Sequence, residues 1–361
     1  MMKKIVSLIL CLVLLNVFTL SAYASNVDYN AEANEIISHK IDQSGTLKKF
    51  LCDNVGIHSE WYVIALHQLG QTEEFEAYST SLAAYLSKNK LLGTNAQRCA
   101  IGFLAANCKS TYIDITAEDT IGTQGIMSYI WGLHLLNNGA KSTKFTKESL
   151  AQKIASFSIE SGGFALSGTS ANIDVTAMAI CALSPYYESL PEVKEVIDLS
   201  LAFISSAQTE NGGFINYGVE NSESVAQVII ALCSLGIDPT ADERFIKNGN
   251  SAVDSLLSYK LESSGYSHAT SEVENEIATE QALLAFVALA RLESGKGALF
   301  ILDEQGDNTP KNFKDVSFEN SDDNVDTQPV NIKNIVSIAI IAVCAVGIGI
   351  VLLIPKKKTT E

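Results

Sequence analysis

Three stretches of the chain carry the same alternation of polar turn and apolar helix. Residues 161–183, 211–232 and 264–289 each open on small residues, then place an aromatic at Phe164, Phe214 or Tyr266. Each ends on Ala-Leu, at Leu183, Leu232 or Leu289. The aromatics are 50 and 52 residues apart, and self-similarity at such a period marks a repeat architecture. The closing helices are apolar nearly all round. In 174–183 one face is Asp174, Ala177, Met178 and Cys181, and the rest is Val175, Ala179, Ile180, Ala182 and Leu183. A helix without a polar face is buried on every side. The helices before the turns differ. In 191–207, Val193, Val196, Ile197, Leu201 and Ile204 form one stripe, and Lys194, Glu195 and Asp198 form another. That pattern predicts an amphipathic helix with one wet face. Each unit of about fifty residues is therefore an outer helix, a Gly-aromatic turn and an inner helix.

Weaker copies precede these three. Inner helices are expected at 59–69, 95–106, 124–136, 172–183, 222–235 and 276–292. Outer ones are expected at 30–51, 72–89, 110–120, 146–158, 191–207 and 242–260. Alternating buried and half-wet helices are satisfied by two concentric rings, so the fold class is all-α, an α/α toroid of about six inner and six outer helices. The alternative, an open solenoid of helix pairs, needs polar end caps that the pattern does not supply.

The two ends add an address. Residues 1–24 read as a signal peptide: Lys3 and Lys4, then an apolar run, then Ala22-Tyr23-Ala24 as a cleavage site. Residues 335–354 lack charge, and as a helix they cover the roughly 30 Å core of a bilayer. Lys356, Lys357 and Lys358 follow and belong on the cytoplasmic side. Residues 303–331 hold eight acids and two lysines, the composition of a disordered stalk. The expected organisation is a signal peptide at 1–24, a toroid at 25–302, a stalk at 303–331, a transmembrane helix at 332–355 and a cytoplasmic tail at 356–361. The bulk of the chain is then extracellular.

Composition narrows the partners. The chain of 361 residues has 41 acids against 25 bases, a net charge of -16. Such a field repels phosphates and argues against nucleic acid. Of the cysteines expected outside the cell, Cys181 and Cys233 fall in apolar helices, and Cys52 could pair with Cys99 or Cys108. The histidines show no metal spacing, and no metal or cofactor is expected.

The candidate chemistry is acidic. Nine residues before each closing leucine stands an acid: Asp174, Glu223 or Glu280. An acid in a first helical turn satisfies unpaired N–H groups and the helix dipole, which is reason enough for the recurrence. A ligand contact is the sharper reading, and it adds Gln227, Gln281 and Tyr217 at the same mouth. Phe164, Phe214 and Tyr266 are expected to clamp neighbouring units. Gly163 and Gly213 are expected to supply positive φ.

Several motifs carry a family resemblance. They are Ser59-Glu60-Trp61, Gly125-Ile126 through Trp131-Gly132-Leu133, Gly162-Gly163-Phe164, Asp174-Val175-Thr176-Ala177, and Asn221-Ser222-Glu223 through Gln227, with Gly236-Ile237-Asp238-Pro239 and Thr279-Glu280-Gln281. In order and spacing they resemble the terpenoid cyclase/prenyltransferase α/α-toroid superfamily. Within it, the chain is similar to bacterial surface proteins with prenyltransferase/squalene-oxidase repeats, related to transcobalamin and intrinsic factor. The resemblance covers roughly 30–300. It departs in lacking the Asp-x-Asp-Asp of squalene-type cyclases and the Asp-x-Cys of zinc prenyltransferases, and in having Ser158 and Lys260 where Gln208 matches the repeat signature.

What the resemblance implies is a non-catalytic surface protein. It would capture a small ligand, with a corrinoid as the specific candidate, or an extracellular polymer through polar residues at inner-helix starts. The alternatives are a cyclase-like, prenyltransferase-like or glycan-active enzyme, and an adhesive module.

Overall fold

A computed structural model describes residues 27–271 and 273–302. The expected signal peptide, stalk, span and tail lie outside these residues. Among the described residues no helix is long and apolar enough to cross a membrane.

Among the described residues thirteen α-helices are formed: α1 (Tyr29–Ser44), α2 (Leu47–Asp53), α3 (Ser59–Leu69), α4 (Phe75–Leu86), α5 (Gly93–Ala105), α6 (Thr111–Thr120), α7 (Gly125–Asn137), α8 (Lys147–Ala155), α9 (Ile173–Leu183), α10 (Pro191–Ala207), α11 (Ser222–Ser234), α12 (Ala252–Leu257) and α13 (Glu276–Glu293). The odd-numbered helices from α3 to α13 form the inner ring. Each packs on the next, α3 on α5 through to α11 on α13, and α13 packs back on α3. The circle is closed, which an open solenoid is not.

Burial follows the pattern of the chain. All residues of α9 are buried. Outer helix α10 buries Val193, Ile197, Leu201 and Ile204 and turns Lys194, Glu195 and Asp198 outward. Burying each such aliphatic side chain is worth roughly 1.5–3 kcal/mol. Two outer helices differ from expectation. The first breaks into α1 and α2 at Gly45, whose φ of 90° no helix continues. The expected 242–260 helix shrinks to α12, because Asn248 and Gly249 take positive φ in a tight Lys247–Asn250 turn.

The Gly-aromatic turn is one structure used three times. Ile159, Thr209 and Leu261 donate to the carbonyls of Gly163, Gly213 and Gly265. Phe164, Phe214 and Tyr266 are fully buried, as expected of clamps between units. The glycine roles need correcting at one position. Gly162, Gly163 and Gly212 have positive φ, whereas Gly213 does not. A Cβ on Gly213 would instead lie 2.3 Å from Glu220 Oε1 and 2.8 Å from Ser255 Oγ, so close approach of these side chains, and not positive φ, is what favours glycine there.

Ion pairs mark the seam between the last unit and the first. Lys40, only 1 % exposed, reaches Glu274 at 2.6 Å and Glu276 at 2.8 Å. Lys260 reaches Glu32 and Glu35, each at 2.8 Å. In the preceding unit Gln208 fills the equivalent position and donates to the carbonyls of Gly212 and Phe245. The departure at Lys260 is thus an adaptation to the seam.

The segment after α13 turns back across the ring. Gln68, near the end of α3, donates to the carbonyls of Leu299 and Ile301. Asn138, just past α7, donates to Phe300 O at 2.8 Å and accepts from Leu302 N at 2.7 Å. Phe300 packs edge-on against Trp131, their centroids 5.4 Å apart, and Trp131 meets Trp61 at 5.2 Å. The aromatic groups thus run from this end of the ring, through Trp131 in mid-helix, to Trp61 in the first turn of α3, and the opposite pole carries the inner-helix N-termini. Cys52 is not in a disulfide, so neither of its two possible pairings is formed.

Candidate functional site

At the N-terminal pole three inner helices, α9, α11 and α13, are capped by asparagines. The side chains of Asn172, Asn221 and Asn275 accept from Val175, Ser224 and Ala278 N. The free N–H groups are therefore served, and capping is not what holds the acids in place. The acids reach sideways into the next unit.

Asp174 accepts from Asn216 Nδ2 at 2.7 Å and from Ser224 Oγ at 2.6 Å. Asn216 also accepts from Asn172 Nδ2 at 2.9 Å. Both donors to Asp174 belong to the α11 unit, Asn216 on the two-stranded hairpin β1 (Ile215–Asn216) and β2 (Val219–Glu220). Glu223 on α11 meets His268 Nδ1 at 2.9 Å, in the turn before α13. Glu280 on α13 meets His58 Nδ1 at 2.9 Å, in the turn before α3.

Glu60 extends the rule. It stands nine residues before Leu69, the same interval, and lies 3.4 Å from Arg98 Nε of α5. Four acids thus stitch inner helices to the next unit round the ring. The structure brings Asp174, Glu223 and Glu280, the acids the sequence singled out, to this pole. Sequence reasoning missed Glu60 as a fourth member, and missed His58, His268, Asn216 and Arg98 as their partners. The Leu69 interval could have revealed Glu60; no local signal reveals a partner one unit away.

The electrostatics follow from burial. Asp174 is 1 % exposed, and burial pushes its carboxyl up to about 7 against the pull of its Ser224 and Asn216 hydrogen bonds. Burial likewise pushes Glu280 up to about 7 despite His58. Burial pulls the His58 imidazole down, but its bond to Glu280 outweighs this and leaves it raised. The hydrogen bond that its Nδ1 makes to the Glu223 carboxylate raises His268. Glu60 is raised by burial, with Arg98 opposing.

The register of the third copy also needs correcting. Counting from its asparagine cap, the position of Asp174 falls on Ile277, and Glu280 lies nearly one turn further along. By the same count Gln227 and Gln281 are equivalent, each six residues past its cap, with Met178 in the α9 unit. These two amides meet: Gln227 Nε2 donates to Gln281 Oε1 at 3.0 Å. Gln281 is buried and Gln227 half-buried. Tyr217 stands apart on the hairpin tip, 62 % exposed. The structure thus joins Gln227 to Gln281 and Asp174 to the Tyr217 hairpin, while Glu223 and Glu280 pair with separate histidines. Among the described residues no group of three or more His, Cys, Asp or Glu is arranged to hold a metal ion.

No curated protein and no solved structure matches the chain. A family model does, that of the prenyltransferase alpha-alpha toroid domain, over residues 97–293. With the closed double ring and its repeated turn, this match places the chain in the prenyltransferase alpha-alpha toroid family.

Proposed function

We propose that the chain is a non-catalytic binding protein, anchored in the cell membrane by one C-terminal span, that captures a small extracellular ligand at the inner-helix N-terminal pole. A corrinoid is the specific candidate. The observation that carries the reading is the Gln227–Gln281 pair. Equivalent positions of adjacent units present amide groups to one another, and amides recognise neutral amide-bearing ligands by exchanging hydrogen bonds. The neighbouring acids support binding over turnover, because Asp174 already accepts two hydrogen bonds and is sealed from solvent.

Ligand that binds only the folded state stabilises it by about 2.7 kcal/mol at ~100 times Kd. Saturating cobinamide or cobalamin should raise the melting temperature of the wild type and not of a Gln227→Ala/Gln281→Ala variant. No shift in the wild type removes the corrinoid, and native mass spectrometry of protein from its host then asks what mass travels with it.

A second reading, a glycan-active or cyclase-like enzyme, draws on the same raised carboxyls, which hold protons near neutral pH as a general acid must. It requires turnover that disappears in a folded Asp174→Asn variant.

A further inference from the structure

Seven large apolar side chains are exposed among the described residues, and six of them sit at one pole. Ile57 precedes α3, Leu92 precedes α5, Ile215, Tyr217 and Val219 form the hairpin before α11, and Val273 precedes α13. The seventh, Leu199, is on outer helix α10. Scattered exposed apolar groups need no explanation, but a crown of them at one end of a molecule does.

The hairpin adds a second observation. Tyr217 holds φ at 49° beside Gly218 at 84°, a left-handed pair that asparagine and glycine usually fill. An aromatic there is strained, and such strain persists where surrounding structure fixes it and concentrates at functional positions. Asn216 fixes it, tied to both Asp174 and Asn172. The tip is therefore a rigid mount for one exposed aromatic.

We propose that this pole docks a polypeptide whose contact surface is apolar with basic residues at its edge. Five of the six side chains are aliphatic and offer no hydrogen-bonding group, which suits a polypeptide better than a glycan. Charge decides between a polypeptide and a lipid surface. Glu160, Glu210 and Glu262 occupy one repeated place in the Gly-aromatic turns, and all three are exposed. Glu210 and Glu262 lie in the units that carry the hairpin and Val273, and Glu160 in the unit just before them, whereas Lys88 and Lys90 stand near Leu92 on another side of the ring. Carboxylates on that side repel an anionic bilayer and attract lysine or arginine. The hairpin aromatic is the expected anchor, since buried aromatics carry much of the energy of interfaces. The inference does not depend on a small ligand in the ring.

The test uses the full-length chain and three short synthetic peptides, alternating leucine with lysine, serine with lysine, and leucine with glutamate. Binding is read by fluorescence anisotropy, and anionic vesicles serve as a competing probe. The leucine–lysine peptide should bind tightest. Tyr217→Asn, which suits the left-handed backbone, and Val273→Ser should each weaken it about tenfold, while Leu199→Ser should not change it. Protection from hydrogen exchange should appear over 215–220. Equal binding of the serine–lysine peptide, stronger binding of vesicles, or unchanged affinity in both crown variants overturns the proposal. Self-association that buries the crown and excludes every peptide overturns it as well.

Discussion

Glu280 Oε2 lies 2.9 Å from His58 Nδ1, joining the last inner helix to the turn before the first. The two residues are 222 positions apart, yet they repeat what Glu223 and His268 do between adjacent units. The seam of the ring is thus built like the joint between α11 and α13, with the Lys40 and Lys260 ion pairs added outside.

A double-mutant cycle should expose that joint. Glu280→Gln and His58→Ala are each expected to destabilise the fold. Their combined loss should be smaller than the sum by about 1–3 kcal/mol, the range of directly contacting partners. Urea unfolding measures all four stabilities, and strict additivity would falsify the closure role.

The pH dependence should run against habit in one window. Asp174 has a folded value near 7, above its ordinary 3.8, so the folded state binds the extra proton. Its contribution is complete below the ordinary value and fades as pH rises through about 7. The shift corresponds to roughly 4 kcal/mol between the two protonation states. Raised His58 and His268 act in the same direction. Lowered carboxyls such as Glu118, near 2, lose their contribution only at much lower pH. The wild type should therefore lose more stability between pH 5.5 and 8 than Asp174→Asn. Parallel stability curves for the two proteins over that window would contradict this assignment.

Phe300 should matter although it lies beyond the last helix. It is 5 % exposed and packs on Trp131 and His134. Phe300→Ala is expected to cost about 3–5 kcal/mol, as core phenylalanines do. Thermal unfolding checks it, and a variant that melts with the wild type would show that the segment only rests on the ring.

The paired glycines should separate two causes of intolerance. Alanine at Gly212 would place its Cβ 2.2 Å from Ser251 O with φ at 79°, so backbone and conformation both resist it. Alanine at Gly213 meets only side chains, Glu220 and Ser255, which can give way. Gly212→Ala should be the more damaging, by about 1 kcal/mol or more, with strain at positive φ as one part of the cost. Comparing denaturation midpoints of the two variants decides it.

Inner helices were legible because they are apolar all round, and all six expected inner segments form within a few residues of their expected bounds. The outer ring was less legible where a local turn overrode periodicity, as at Gly45 and at Asn248-Gly249. At the site, the recurrence of Asp174 and Glu223 was visible, but its cause was not. Asn172 and Asn221, each two residues upstream of those acids, take the capping role, and a sequence alone cannot say which of two nearby polar groups turns back on its own helix. Glu280 matched by leucine interval and not by structure, since the interval ignores where the helix starts.

By itself the amino-acid order determined the fifty-residue unit and the burial of one helix in each pair, because those depend on residues a few positions apart on one helix. Only the closed ring decided that Asp174 meets Asn216, that Glu280 meets His58, and that Phe300 packs on Trp131. Each of those contacts joins different units of the chain, and their separation in space is set by how many units complete the circle, which no local pattern encodes.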